Sequence, residues 1–225
     1  QFIVHYVAAF NTARAGLDDI AINEDIQFQA PATWLEIPGV PRIDSIPLRV
    51  AHFRSDGTYP SVFVSGTVPV QRMSVGGVAP RGLIARLWIF GDGADVVTRD
   101  SARIDDAGLV QWRVRAPEGE LYARAEAVTR DASAARGTIF AGSVSPASAA
   151  LSMSDVLIAA SVTDAVTPAR RWHELRITPA PDTLPAARGI AVAWEAYGLG
   201  TRDGAHHYLV RLILQKSSKS IAGRI

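Results

Sequence analysis

The sequence predicts an all-β protein made of two antiparallel β-sandwiches packed in tandem. Apolar and polar residues alternate with a period of two along several short segments, whereas the longer period of a helix is rare. Turn residues separate these segments at intervals of roughly 8 to 12 residues, which is typical of immunoglobulin-like sandwiches. The length of 225 residues and the hydrophobic content of 48% suffice for two small cores of this kind.

The N-terminal half carries the clearest strand patterns. The stretches "FIVHYVAAF" and "DDIAINEDIQF" predict a hairpin. Further on, Val62, Val64 and Val68 share one face of a strand that ends at Pro69. Residues 83–90, "LIARLWIF", are nearly all apolar and therefore predict a strand buried on both faces.

Three more strands follow as a meander between turns rich in Asp, Gly and Pro. They are "LVQWRVRAP", "ELYARAEAVTRD" and "GTIFAGSVS". The alternation in the first two predicts a buried face that comprises Val110, Trp112, Val114, Ala116, Leu121, Ala123, Ala125 and Ala127.

The small, proline-containing stretch "SPASAA" at 145–150 predicts a domain boundary. It divides the chain into a first sandwich, residues 1–150 with the N-terminal hairpin, and a second β region, residues 151–225, which can share strands with that hairpin. The second region has four segments of strand length, "LSMSDVLIAASV", "HELRITPAP", "IAVAWEAYGL" and "HHYLVRLIL". The proline-rich residues 178–189 predict an exposed loop.

Charge and cysteine content exclude several classes of function. Lys and Arg total 23 against 22 Asp and Glu, so there is no overall field to bind nucleic acid. The absence of cysteine excludes disulfides, thiolate nucleophiles and zinc–thiolate sites. The apolar stretch that begins at Gln1 ends well short of the roughly 20 residues that a membrane-spanning helix needs.

The patterns that could bind a metal or cofactor are better explained as strands and turns. His206 and His207 are adjacent, and adjacent side chains of a strand point to opposite faces, so they do not converge on one ion. The aspartates of "GDGAD" and "DSARIDDAG" fit no EF-hand spacing and are typical of hairpin turns. The glycines of "GLGTRDG" lack the dinucleotide-binding spacing and a following helix. We therefore predict no metal and no cofactor.

Ser154 and Asp155 raise the question of a Ser-His-Asp active site. The chain has no Gly-x-Ser-x-Gly motif, and a Ser-Asp pair before an apolar run also fits a cap at the start of a strand. We therefore predict that the protein is not an enzyme and that Asp155 accepts backbone hydrogen bonds.

The segments "LSMSDVLIA" and "VAWEAYGLG", with "HHYLVRLIL" after them, resemble the C-terminal β region of bacterial proteins that carry a GWxTD domain, although the Gly-Trp-x-Thr-Asp motif itself is absent. The resemblance implies an exported, envelope-facing β-sandwich and no catalytic residue. A specific form of this expectation is an extramembrane accessory subunit of a bacterial photosynthetic reaction-centre and antenna complex. The positions that match are Leu151, Ser152, Ser154, Asp155, Glu195, Tyr197, Gly198, Leu199 and Tyr208.

Candidate partner-binding residues come from exposed-looking aromatic and basic side chains. If Trp194 and Ala196 are buried, the alternation leaves Glu195 and Tyr197 on a surface that faces solvent or a partner. Tryptophan beside arginine in proline-flanked segments predicts an interface anchor, although such residues are equally often packing lids. A basic tail predicts contact with acidic lipid or an acidic neighbour, with a solvated chain end as the alternative. The candidates are Trp34, Trp172, Arg170, Arg171, Tyr197, Lys216 and Lys219.

Together these patterns predict a non-catalytic structural subunit of a bacterial envelope complex. The partners expected are other protein subunits of a membrane-associated complex, with the chain in the periplasm and peripheral to the membrane. The alternative is a β-sandwich module that binds carbohydrate or another small ligand, for which exposed tryptophans and sandwich loops are suited.

Overall fold

The computed structural model describes residues 43–54, 58–74, 82–91, 96–129, 134–144, 150–181, 189–206, 208–211 and 213. The strands in chain order are β1 (Ile43–Ser45), β2 (Leu48–His52), β3 (Val62–Thr67), β4 (Ile84–Phe90), β5 (Val96–Arg103), β6 (Leu109–Val114), β7 (Gly119–Val128), β8 (Ala134–Val144), β9 (Ser152–Met153), β10 (Leu157–Asp164), β11 (Leu175–Pro179), β12 (Ala191–Ala193), β13 (Ala196–Tyr197), β14 (Thr201–Arg202) and β15 (Ala205–His206). One turn of 3₁₀ helix, Trp172–Glu174, precedes β11.

Three sheets stack on one another. The first sheet has the strand order β1-β8-β7-β4-β5, the middle sheet β2-β3-β6, and the C-terminal sheet β11-β10-β12. Two two-stranded pairs, β13-β9 and β14-β15, adjoin the C-terminal sheet in sequence. All pairings are antiparallel except that of β1 with β8. The prediction of an all-β, mostly antiparallel protein is confirmed for the described residues.

The first core lies between the first and middle sheets. All eight side chains of the buried face predicted for residues 110–127 are in it or at its edge, each no more than 8% exposed. Val62, Val64 and Val68 enter the same core from β3 and the residues just after it, as their alternation predicts. The strand β4 is buried along most of its length on both faces, which confirms the prediction made for "LIARLWIF".

The second core lies on the other side of the middle sheet. β3 turns Phe63 towards it, and Trp172 stacks on Phe53 with ring centroids 4.3 Å apart. Leu157 and Ile177 enter this core from the C-terminal sheet. The middle sheet is therefore buried on both faces and joins the C-terminal sheet to the sandwich.

Glycine permits a close contact where β8 meets the chain after β1. A Cβ atom on Gly137 would collide with the backbone carbonyl of Ile46, and Ile46 donates its own N–H to the carbonyl of Arg136 at 2.8 Å. The strand β8 can therefore approach β1 and its continuation only because residue 137 has no side chain.

Several predicted elements lie wholly or partly outside the described residues. These are the N-terminal hairpin, the boundary stretch 145–149 and residues 182–188 of the proline-rich loop; Thr178 and Pro179 belong to β11. Of the predicted strand "HHYLVRLIL", His206 is in a strand and residues 208–211 and 213 are not, while the other three residues lie outside the described chain. No helix among the described residues is long and apolar enough to cross a membrane.

Candidate functional site: a polar network between two sheets

A network of hydrogen bonds joins the end of β2 to the C-terminal region. It contains all four polar residues that the sequence singles out in the segments around 154 and 196, together with residues from β2 and the 3₁₀ turn. We call this set the polar network, and its members are His52, Arg54, Ser152, Ser154, Asp155, Arg171, Glu195 and Tyr197.

Asp155 fastens the start of β10 to the end of β2. Its Oδ2 atom accepts the backbone N–H of His52 at 2.9 Å and lies 2.7 Å from Nδ1 of the same residue. The backbone N–H of Asp155 in turn donates to the carbonyl of His52 at 3.0 Å. Because a carboxylate only accepts hydrogen bonds, this contact places the imidazole hydrogen on Nδ1. The prediction that Asp155 accepts a backbone hydrogen bond is confirmed.

Glu195 lies at the centre of the network, with its side chain 10% exposed. Its Oε1 atom accepts the backbone N–H of Trp172 at 2.7 Å and Nε of Arg171 at 3.1 Å. Its Oε2 atom accepts the hydroxyl of Tyr197 at 2.6 Å. A nearly buried carboxylate is stable only when its charge is paired and its oxygens are hydrogen-bonded, and here both conditions are met.

Tyr197 connects Glu195 to the chain after β2. Its oxygen accepts the backbone N–H of Arg54 at 2.8 Å, and the Arg54 guanidinium lies over its ring, 4.3 Å from the centroid. Burial raises the pKa of the Tyr197 phenol above its ordinary value, and the adjacent Glu195 carboxylate contributes to the same shift. The phenol therefore stays a hydrogen-bond donor well into the alkaline range.

Ser154 has a structural position. Its Oγ atom donates to the carbonyl of Asp155 at 2.8 Å and accepts the backbone N–H of Glu195 at 2.8 Å. Its own N–H donates to the carbonyl of Glu195 at 2.9 Å. The hydroxyl is thus engaged by the backbone on both sides, while His52 bonds the Asp155 carboxylate. The three residue types of a nucleophilic triad are present here without a hydrogen bond from serine to histidine.

The prediction that the side chains of Glu195 and Tyr197 face outward is wrong. The sequence predicts Trp194 and Ala196 buried, with Glu195 and Tyr197 outward; in the structure Ala196 is exposed, Trp194 is half-buried, and the Glu195 and Tyr197 side chains point into the polar network. The prediction took the more apolar face to be the buried one. In the structure, Glu195 and Tyr197 instead face inward because they accept hydrogen bonds from residues of distant segments.

Trp172 is not an exposed anchor, because its side chain is 1% exposed. It stacks on Phe53, meets Phe63 edge-to-face, and has the Arg113 guanidinium 5.5 Å from its ring centroid. The packing-lid alternative describes it correctly. Tyr197 is half-buried, with its hydroxyl inside the polar network.

The two arginines before Trp172 hold the 3₁₀ turn. The backbone N–H groups of Arg170 and Arg171 both donate to Glu174, and these bonds lower the pKa of that carboxyl. Arg170 is exposed, and Arg171 is half-buried against Glu195. The remaining candidates, Trp34, Lys216 and Lys219, lie outside the described residues.

The Asp- and Gly-rich stretches form turns, as predicted, at the positions that the structure describes. Asp105 Oδ1 accepts the N–H groups of Ala107 and Leu109, as a turn-forming aspartate does. Asp203 and Gly204, both with positive φ, form the two-residue turn between β14 and β15. Within the described ranges, no group of three or more His, Cys, Asp or Glu side chains is placed to hold a metal ion.

Sequence reasoning missed the N-terminal half of the network. His52 and Arg54 have no partner nearby in sequence, since Asp155 and Tyr197 lie 103 and 143 residues away from them. Arg113 donates to the carbonyls of His173 and Leu175, which lie 60 and 62 residues away along the chain. No local pattern could have revealed these contacts, because only the stacking of sheets creates them.

The opposite face of the C-terminal sheet exposes apolar side chains. Ile158 and Val192 are cross-strand neighbours on this face, and Ile158 is 48% exposed. Val156 and Ile190, just before β10 and β12, are also about half exposed. Each lies two residues before a member of the first pair, so its side chain is on the same face. We call these four residues the outer apolar face.

Comparisons of the chain with protein-family models, curated proteins and solved structures gave no match.

Proposed function

We propose that this chain is a non-catalytic structural subunit that works by contact with other proteins of a bacterial envelope complex. The observation that carries the proposal is the outer apolar face. Apolar side chains that adjoin one another on the exposed face of a sheet are typical of protein interaction surfaces.

The use of the polar residues supports a non-catalytic function. The oxygens of Ser154, Asp155, Glu195 and Tyr197 bond to backbone groups or to one another, so their arrangement serves to hold the C-terminal sheet against the middle sheet. Groups used in this way are fixed in position, as a rigid support for a neighbouring surface requires.

The finer parts of the proposal rest on the sequence. The resemblance to GWxTD-domain proteins supports a periplasmic location, peripheral to the membrane, and its more specific form is an accessory subunit of a photosynthetic reaction-centre and antenna complex. The pair of apolar cores supports two sandwich-like units in tandem with immunoglobulin-like character, with the middle sheet shared between them.

The experiment compares the native assembly of three tagged forms of the chain. The parent, Ile158→Lys and the control Thr163→Lys are expressed in the native host and isolated from the gently solubilised envelope by size-exclusion chromatography. Thr163 is exposed further along the same strand, so its variant adds the same charge away from the outer apolar face. We expect the parent and control to elute with partner proteins and Ile158→Lys to elute alone. A parent chain that elutes as a free monomer would contradict the proposal.

Binding of a carbohydrate or small ligand is the second candidate. It is favoured by the aromatic pair Tyr122 and Phe140, which is exposed on the first sheet with ring centroids 5.1 Å apart. Exposed aromatic rings can stack on sugars, whereas the buried Trp172 cannot. Glycan-array binding that is lost in Phe140→Ala and retained in Ile158→Lys would favour this function over the first.

A further inference from the structure

The first sheet has a second face, directed away from the middle sheet, which we call the distal face. Alternate residues of β4 enter the first core, namely Ala85, Leu87 and Ile89. Trp88 and Phe90 therefore point to the distal face. These two side chains are only 2% and 6% exposed, although they belong to neither core. The other two sheets lie on the opposite side of the first sheet, so they do not account for this burial.

Charged side chains of the distal face are buried beside these rings. Arg124 is the cross-strand neighbour of Trp88 and is 3% exposed, and the next row contains Glu126 and Arg136, with side chains 14% and 12% exposed. Both guanidiniums contact Oε1 of Glu126, at 2.9 and 2.8 Å. Arginine on an open sheet face keeps its guanidinium in water, so the burial of Arg124 indicates a cover over it. We call Trp88, Phe90, Arg124, Glu126 and Arg136 the distal patch.

The length and charge of the chain outside the described residues indicate which part supplies this cover. The internal stretches have at most seven residues between two fixed ends, which limits them to the margins of a sheet. The C-terminal residues 214–225 contain three Lys or Arg and no Asp or Glu, so they would add positive charge to a patch that is already positive. Residues 15–41 contain five Asp or Glu and no Lys or Arg. The N-terminal stretch is therefore the one whose charge complements the distal patch.

One part of this stretch also has a matching apolar pattern. Residues 19–28, "DIAINEDIQF", alternate with a period of two. In an extended conformation one face carries Ile20, Ile22, Glu24, Ile26 and Phe28. The other face is polar apart from Ala21. The first face is thus apolar with a single carboxylate at its centre, whereas the distal patch has aromatic rings beside two guanidiniums.

The chain between this segment and β1 is long enough for the two to meet. β1 is the edge strand of the first sheet, and residues 29–42 span at most about 46 Å when extended. Neighbouring strands are about 4.8 Å apart, so the five-stranded sheet is about 19 Å wide. Residues 19–28 can therefore reach any strand of the distal face.

We propose that residues 19–28 dock in extended form on the distal face of the first sheet of their own chain. Their isoleucines and Phe28 lie on Trp88 and Phe90, and Glu24 lies beside Arg124. The docked segment adds a layer to the stack of three sheets and buries the arginines of the first sheet. It leaves the outer apolar face, at the other end of the stack, open to a partner. The docking does not depend on the proposed function.

Photo-cross-linking in the full chain tests where this segment lies. Phe28→p-benzoylphenylalanine places a photoreactive ring on the apolar face of the segment, and Gln27→p-benzoylphenylalanine is the control on its polar face. Each purified protein is irradiated, and the cross-linked peptides are identified by mass spectrometry. We expect residue 28 to cross-link within the monomer to peptides from β4 or β7, and residue 27 not to do so.

Three outcomes would overturn the proposal. Cross-links from residue 28 to β10 or β12 would place the segment with the second β region. A covalent dimer as the main product would indicate docking on another copy of the chain. Equal cross-linking of both positions to the first sheet, or none from residue 28, would show that the apolar face of the segment does not lie on the distal patch.

Thermal unfolding gives a second test that needs no photoreactive group. Glu24→Gln removes the inward carboxylate, and Asp25→Asn removes a carboxylate from the opposite face. The first variant should lower the melting temperature by several degrees more than the second. In a chain that also carries Arg124→Met, this difference should disappear. Equal melting temperatures for the two single variants would contradict the docking, and the proposed function would be unaffected.

Discussion

Replacing Glu195 with glutamine tests whether the polar network stabilises the fold. The carboxylate accepts three hydrogen bonds, at 2.6, 2.7 and 3.1 Å, from Tyr197, Trp172 and Arg171. An amide can accept with only one of its two polar atoms, and its NH₂ group would face the Tyr197 hydroxyl, which would have to turn its hydrogen away.

The expected loss follows from the change in these three bonds. A hydrogen bond to a charged group contributes about 1.5–3 kcal/mol, against about 1 kcal/mol for a neutral one. The Arg171 side chain is 35% exposed, so its contribution is discounted for solvent screening. The sum is about 2 kcal/mol, which corresponds to a fall in melting temperature of about 4–8 °C for a chain of this length.

The assay is thermal unfolding followed by circular dichroism, with Glu120→Gln as the control. Glu120 is exposed on β7, and its variant should lie within about 0.5 kcal/mol of the parent. A double-mutant cycle with Tyr197→Phe should show a coupling of about 1 kcal/mol between the two side chains. If Glu195→Gln and Glu120→Gln melt at the same temperature, the network does not carry the stability assigned to it.

Three further predictions follow from the same site. Burial raises the pKa of Tyr197, so the contribution of its phenol to the free energy of unfolding is complete below the ordinary tyrosine pKa of about 10 and is lost as the pH rises beyond that value. In urea titrations, Tyr197→Phe should therefore reduce the loss of stability at alkaline pH. Trp172→Ala empties a buried, stacked position and should cost about 3–5 kcal/mol by denaturant unfolding, and a near-neutral variant would contradict its place in the core. Asp155 is 54% exposed, so Asp155→Asn should lower stability by only about 1 kcal/mol; any measured turnover abolished at unchanged stability would instead indicate catalysis.

The first sandwich could be predicted from the sequence because its strands follow simple alternation. In β6, Val110, Trp112 and Val114 face one core, and the two residues between them, Gln111 and Arg113, are polar, so the pattern alone identifies the buried face. The same holds for Leu121 and the alanines of β7.

The C-terminal site could not be predicted in this way, because its inward face is polar. Glu195 and Tyr197 are buried by hydrogen bonds to Trp172 and Arg54, which lie 23 and 143 residues away from them. Burial of a polar side chain depends on partners that only the folded chain supplies. Hydrophobicity therefore predicted the wrong face of this short segment.

The stacking of three sheets explains why the polar network lies at the end of β2. β3 sends Val62 and Val64 into one core and Phe63 into the other, so the middle sheet cannot shift against either neighbour without exposing apolar surface. Apolar contact is non-directional, however, and would allow the C-terminal sheet to slide along the middle sheet. The hydrogen bonds of Asp155 and Tyr197 to the backbone of residues 52 and 54 are directional, and they fix one position of that sheet. The outer apolar face on the far side of that sheet is thereby held in a fixed orientation, as the proposed function requires.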